Sequence, residues 1–250
     1  MTTSSVPVRG DGRRPDEPRP LRFQRRFTKY SAGSVLVECG ETKVICTATA
    51  EDGVPPFLMN SGQGWLTAEY SMLPSSTERR KRREVTTGRA EGRTHEIQRL
   101  IGRSLRSVVD LTAFRNMTLW IDCDVIQADG GTRTAAINGA YVALVDAVTK
   151  LREAGHVRKN ALTSSVAAVS VGMVEGVPLL DLRYEEDSKA GVDMNVVMTG
   201  EGRFIEIQGT AERGSFSEDE FQRLLGLARS GIERVREAQE EALKTPGLSR

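Results

Sequence analysis

The stretch Ala128-Asp129-Gly130-Gly131-Thr132-Arg133-Thr134 joins a β-like run to a helical one. Two glycines let backbone amides come close to a ligand. The helix start beyond them offers N–H groups at the positive end of its dipole, a combination suited to phosphate. Arg133 would add a bidentate donor and Thr132 a hydroxyl. Read alone, such glycines also simply punctuate strand ends, and no Lys stands where a P-loop needs one. Arg93 precedes Thr94 beside Gly92, at the start of another expected helix. A surface arginine is the plainer account of it, but two helix starts that each carry an Arg and a Thr repeat one anion-binding chemistry. The third candidate is the acidic set Asp181, Glu185, Glu186, Asp187 and Asp193. In VDMNV, period-2 alternation places Val192, Met194 and Val196 on one face and Asp193 with Asn195 on the other. Asp187 lies in the preceding loop. These two carboxylates could hold Mg²⁺, act as a general acid, or be solvated turn acids.

The elements that must position these groups follow from the pattern. SVLVECG from Ser34, TKVICTATA from Thr42 and WLTAEYSML from Trp65 read as strands, with a tight turn at Gly40-Glu41 and a loop at Pro55-Pro56. From Thr94 to Asp110, Ile97, Leu100, Ile101, Leu105, Val108 and Val109 share one helical face, with Thr94 as N-cap and Glu96 in the first turn. Arg99, Arg103 and Arg106 form a basic stripe beside that face. A strand, MTLWIDCDVIQ, comes next, then a helix after Gly131 in which Ile137, Ala140, Tyr141, Leu144, Val145, Val148 and Leu151 keep helical spacing until Gly155. SVAAVSVGMV, VPLLDLRY, VDMNVVMT and RFIEIQGTA suggest an antiparallel meander. A final helix, Phe216 to Ala242, opens on Ser217 with Glu220 three residues later. This order predicts an α+β layered sandwich of mixed sheets and helices. With no Pro/Ser linker, residues 1–250 read as one domain, with residues 1–8 as a flexible tail.

The 250 residues carry 35 Lys and Arg against 34 Asp and Glu, net +1, a sum that says nothing about a polyanionic partner. The distribution is uneven. Residues 1–29 hold eight bases and three acids, residues 76–106 ten and four, and residues 181–206 three and seven. The run Arg79-Arg80-Lys81-Arg82-Arg83, flanked by Pro, Ser, Thr and Gly, reads as an exposed loop able to contact phosphates. Cys39, Cys46 and Cys123 sit in β-like runs as buried free thiols, and with only His95 and His156 there is little raw material for zinc or for Ser-His or Cys-His catalysis. No stretch is long and apolar enough for a membrane span, and the first twenty residues lack a signal-peptide core, so the expected compartment is the cytoplasm.

GRTHEIQRLIGRSLR (92–106), DCDVIQADGGTRTAAINGAYVAL (122–144), YEEDSKAGVDMNVVMT (184–199) and EIQGTAE (206–212), with Arg9, Asp11, Arg13, Asp16, Arg19 and GQGWLTAEYSMLP from Gly62, together resemble the ribonuclease PH family of phosphorolytic exoribonucleases. The resemblance implies the fold of that family and a 3′ to 5′ exoribonuclease that uses inorganic phosphate to trim tRNA precursors and other RNA 3′ ends, rRNA among them. Nucleoside diphosphates would be released, and the reverse reaction would add nucleotides. It implies phosphate binding by Arg93, Gly131, Thr132 and Arg133, and catalysis with Mg²⁺ binding by Asp187 and Asp193. It further implies tRNA contacts among Arg79, Arg80, Arg82 and Arg83, and a homo-hexamer built as a trimer of dimers. A catalytically silent RNA-binding ring subunit and a metal-dependent hydrolytic nuclease are the alternatives.

Overall fold

A computed structural model describes residues 9–88, 91–157 and 160–245; the tail expected over residues 1–8 lies outside them. Nine strands and five α-helices are found among these residues. In chain order they are β1 (Leu21–Arg25), β2 (Gly33–Cys39), β3 (Thr42–Asp52), β4 (Trp65–Met72), α1 (Glu84–Thr87), α2 (Gly92–Arg106) and β5 (Met117–Gln127). The second half holds α3 (Thr132–Glu153), β6 (Val166–Val174), β7 (Val177–Leu180), α4 (Tyr184–Asp187), β8 (Val192–Thr199), β9 (Phe204–Ala211) and α5 (Glu218–Lys244). The expected α+β architecture is present as a five-stranded sheet, β1-β2-β3-β5-β4, and a four-stranded one, β7-β6-β8-β9.

In the first sheet alternation sets the faces: Val44, Cys46 and Ala48 of β3 point inward between half-exposed neighbours. Cys39 pairs with Thr42 across the Gly40-Glu41 turn, and Gly40 has φ +55°. β1, unforeseen from the sequence, adds an edge to this sheet. The second sheet is wholly antiparallel, but it is not a meander, because β6 lies between β7 and β8. β7 ends at Leu180 rather than running on to Tyr184: Asp181 takes a positive φ of +55° and α4 follows, carrying the chain across β6.

α3 lies between the sheets, packed on β2 and β3 on one side and β6 on the other. A helix buried on nearly all sides must be apolar on nearly all sides, and small residues let it approach closely. Gly139 is one of them: a Cβ there would stand 2.7 Å from Val37 Cγ1 and 2.8 Å from Cys46 Sγ. Buried Asn138 docks α3 on the second sheet, donating to Ala168 O at 2.9 Å and accepting from Ala168 N–H at 2.8 Å. One core cluster takes in α2, α3, the first sheet and Val166, Ala168 and Val197 of the second. α5 covers the opposite face of the second sheet through Leu224, Ala228, Ile232 and Val235. The Ser217–Glu220 capping box opens α5 as the sequence suggests. No helix among the described residues is long and apolar enough to cross a membrane.

Candidate active site

β5 delivers the chain to Asp129, and the turn that follows forces two left-handed residues, Gly130 (φ +73°) and Gly131 (φ +64°). At Gly130 the need for glycine is also spatial, since a Cβ would stand 2.5 Å from Leu182 O. Gly131 is the N-cap of α3 and has no side chain with which to cap it, so the first-turn amides suit an anion. Thr132 is buried and its oxygen accepts from the Tyr70 hydroxyl at 2.9 Å, which leaves its own proton to donate. Burial pushes the Tyr70 phenol above its ordinary value despite that bond and the nearby charges of Arg93 and Arg133. Arg133 is anchored by two residues not singled out for this in the sequence: its Nη1 donates to Gln208 of β9 and, at 3.2 Å, to Glu96 of α2.

The second helix start differs from the sequence expectation. α2 begins at Gly92 with Glu91 as N-cap, so Thr94 is not the cap but a buried first-turn residue whose hydroxyl bonds Glu84. Arg93 therefore lies within the first turn, exposed, and near enough to Tyr70 and Asp187 to act on both. The two Arg/Thr helix starts do converge. The basic stripe of α2 does not act as one unit: Arg103 pairs with Glu206, while Arg106 stacks 4.8 Å from the Trp65 ring and donates to Leu66 O at 2.9 Å.

Facing the helix starts, α4 ends at Asp187, and β8 places Asp193 opposite Thr210 and Gly172 of its neighbours. Desolvation raises the Asp187 carboxyl, and the charges of Arg93 and Arg133 offset this only in part, although the side chain reaches solvent. Desolvation, then the nearby Asp187 and Glu212 charges, raise that of Asp193. Glu212, just past β9, is the third acid of this neighbourhood and went unread in the sequence. Among the described residues no Lys or Arg nitrogen lies within 4.0 Å of either Asp carboxylate, and no three His, Cys, Asp or Glu side chains are grouped to hold a metal. Two neighbouring carboxylates of hard oxygen donors are the chemistry that Mg²⁺ takes when it keeps most of its shell as water.

The other acids of the segment belong elsewhere. Asp181 and Glu186 are buried and take the N-terminal arginines. Arg9 forks onto Glu186, with Nε to Oε1 at 2.7 Å, and Arg19 forks onto Asp181, with Nη2 to Oδ1 at 2.6 Å. Arg13 donates to Asp181 O at 3.1 Å, and its Nη1 lies 3.5 Å from Asp181 Oδ2. The N-terminal arm, residues 9–20, is thus fixed inward through three buried arginines, since burial is tolerated for charges that are paired. The 76–83 segment is the loop expected, with Arg79, Arg80, Arg82 and Arg83 exposed. Cys46 and Cys123 are buried free thiols; Cys39 is only partly so, its Sγ 3.7 Å from both Asp181 oxygens in a 180 Å³ cavity lined also by Arg19, Thr134 and Arg234.

The fold is shared with solved structures. The crystal structure of rice (Oryza sativa) Rrp46 superposes with a TM-score of 0.75 at 21% identity, covering 94% of this chain and all of that one. The Archaeoglobus fulgidus exosome with RNA bound to the active site gives 0.76 at 19% identity, covering 92% of this chain and 91% of that one. The models of the 3′ exoribonuclease family match here, domain 1 over residues 17–150 and domain 2 over residues 164–231, which defines the class as a 3′ exoribonuclease. Ribonuclease PH of Corynebacterium kroppenstedtii is 58% identical over 239 residues, spanning 96% of this chain and 94% of that protein. The chain belongs to the ribonuclease PH family of phosphorolytic 3′ exoribonucleases.

Proposed function

We propose that this exoribonuclease trims tRNA precursors by seating inorganic phosphate between the two helix starts and the terminal RNA phosphodiester beside the acids. Arg93, Arg133, the Thr132 hydroxyl and the first amides of α3 neutralise and orient the attacking phosphate, which is catalysis by positioning and electrostatics. A phosphate oxygen forms the new P–O bond, the P–O3′ bond breaks, and the departing 3′ oxygen takes up a proton. The products are a nucleoside diphosphate and an RNA one nucleotide shorter; the reverse reaction extends the chain. Asp187 and Asp193 would hold Mg²⁺, which when bound supplies positive charge to the scissile phosphate. Their raised carboxyls equally fit either one to deliver the proton to the 3′ oxygen. The carrying observation is the meeting of two Arg/Thr helix starts with an acid pair that, among the described residues, has no Lys or Arg nitrogen within 4.0 Å.

Arg79, Arg80, Arg82 and Arg83 would hold the tRNA body away from the reacting end. We also propose that both family segments work as one domain, that six copies form a ring as a trimer of dimers, and that the enzyme acts in the cytoplasm. The test is incubation of a tRNA precursor with Mg²⁺, with and without phosphate. Nucleoside diphosphates that appear only with phosphate are expected. Monophosphates would mean hydrolysis, and no product a silent binding subunit. Mass photometry checks the ring, which a stable, active monomer would contradict.

A further inference from the structure

Arg19 contacts both of the segments that border the space between the helix starts and the acids. Its backbone N–H and Nε donate to Asp181 Oδ2 at 2.7 and 2.9 Å, and Nη2 to Oδ1 at 2.6 Å. The same guanidinium donates to the carbonyls of Asp129 and Gly130 in the glycine turn, the latter at 3.5 Å, and to Leu182 O at 3.4 Å. One further bond ties these segments, Tyr184 N–H to Asp129 Oδ1 at 3.1 Å, and Thr42 Oγ1 at the start of β3 also donates to Gly130 O at 2.7 Å. In a trans peptide the carbonyl and the following N–H point in opposite directions. Holding the carbonyls of residues 129 and 130 against Arg19 therefore turns the amides of Gly130 and Gly131 to the other side of the turn.

We infer that Arg19, locked by Asp181, is a positioning residue that aims the phosphate-binding turn and fixes its spacing from the segment that carries Asp187. This rests on the phosphorolytic reading above. A lysine at position 19 would keep the charge but lose the planar fork that spans Asp181 and the turn. The test is steady-state phosphorolysis of a short RNA by the assembled enzyme, with Arg19→Lys and Asp181→Asn as the variants. Arg9→Lys serves as a control, because Arg9 belongs to the same arm but bonds Glu186, Glu17 O, Leu180 O and Asp181 O rather than the turn. In both test variants KM for phosphate should rise about tenfold or more, KM for RNA should stay within about twofold, and saturating phosphate should restore most of kcat. Arg9→Lys should lower the melting temperature with KM for phosphate unchanged. The inference is overturned if Arg19→Lys costs stability alone, or if Arg9→Lys moves KM for phosphate to the same extent. Arg133→Ala with an unchanged KM for phosphate would remove the anion site itself, and the role of Arg19 with it.

Discussion

Glu186 and Asp187 are neighbours in the chain, and their carboxyls respond to their surroundings in opposite directions. Burial alone would raise both. At Glu186 the fork of Arg9, the Arg183 N–H and the charge of Arg13 overcome it and hold the acid below its usual range. At Asp187 Arg93 and Arg133 act only from a distance, and the acid stays above its usual range. Asp181 and Asp193 repeat the contrast: Arg19 outweighs burial at the first, while at the second a neighbouring acid adds to it. One acidic segment thus feeds two clusters of like composition. Where arginine forks close on carboxylates the charges fix the fold; where they are held apart, the space between them suits a doubly charged ligand.

Breaking the open cluster should give the largest effect. Arg133→Ala or Asp193→Asn is expected to slow phosphate-dependent trimming about a hundredfold or more while RNA binding, read by fluorescence anisotropy, stays largely intact. Normal turnover in either variant would dissolve the distinction. The closed cluster should instead fail in stability. Arg9→Met leaves Glu186 buried without its fork and should cost about 3–5 kcal/mol in urea unfolding. A third arginine set sharpens the contrast, being exposed: replacing Arg79, Arg80, Arg82 and Arg83 by Ala should raise KM for a tRNA precursor but not for a short oligonucleotide. The salt dependence of binding should fall by roughly one unit of log–log slope per lost phosphate contact.

The smallest effect is in acid. Asp181 and Glu186, held below their unfolded values, contribute stability that is present above ordinary carboxylate pKa values and lost as pH falls through their depressed folded values. Asp187 and Asp193 have the opposite sign: the folded state binds protons more tightly, so their contribution declines as pH rises from the ordinary carboxylate range through the raised folded value. In urea titrations across pH, Asp187→Asn with Asp193→Asn should remove that decline and leave the acid loss in place.

Much of this was legible wherever the determinants are local. The strand Met117–Gln127 and the Ser217–Glu220 cap follow from alternation and from a three-residue spacing. The glycine turn and the acids at 187 and 193 could be named because their chemistry is local too. Unreadable were the features that depend on distant partners. Nothing near Arg19 says that Asp181 lies 162 positions on, and nothing near Arg133 announces Gln208. Tyr70 could have been suspected, since alternation puts it inward with Leu66 and Ala68, where a phenol requires a partner. The order of the second sheet was missed because the left-handed Asp181 that ends β7 is held there by arginines from the other end of the chain.

Cys39 lies against this joint. Desolvation, with the Asp181 charge beside it, pushes the thiol up to about 12, so the reactive thiolate is disfavoured there at neutral pH. Alkylation of Cys39 should therefore wait for the arm to detach. The labelling rate then becomes an internal clock for that opening, and saturating phosphate should slow it if the closed arm and the bound anion favour each other.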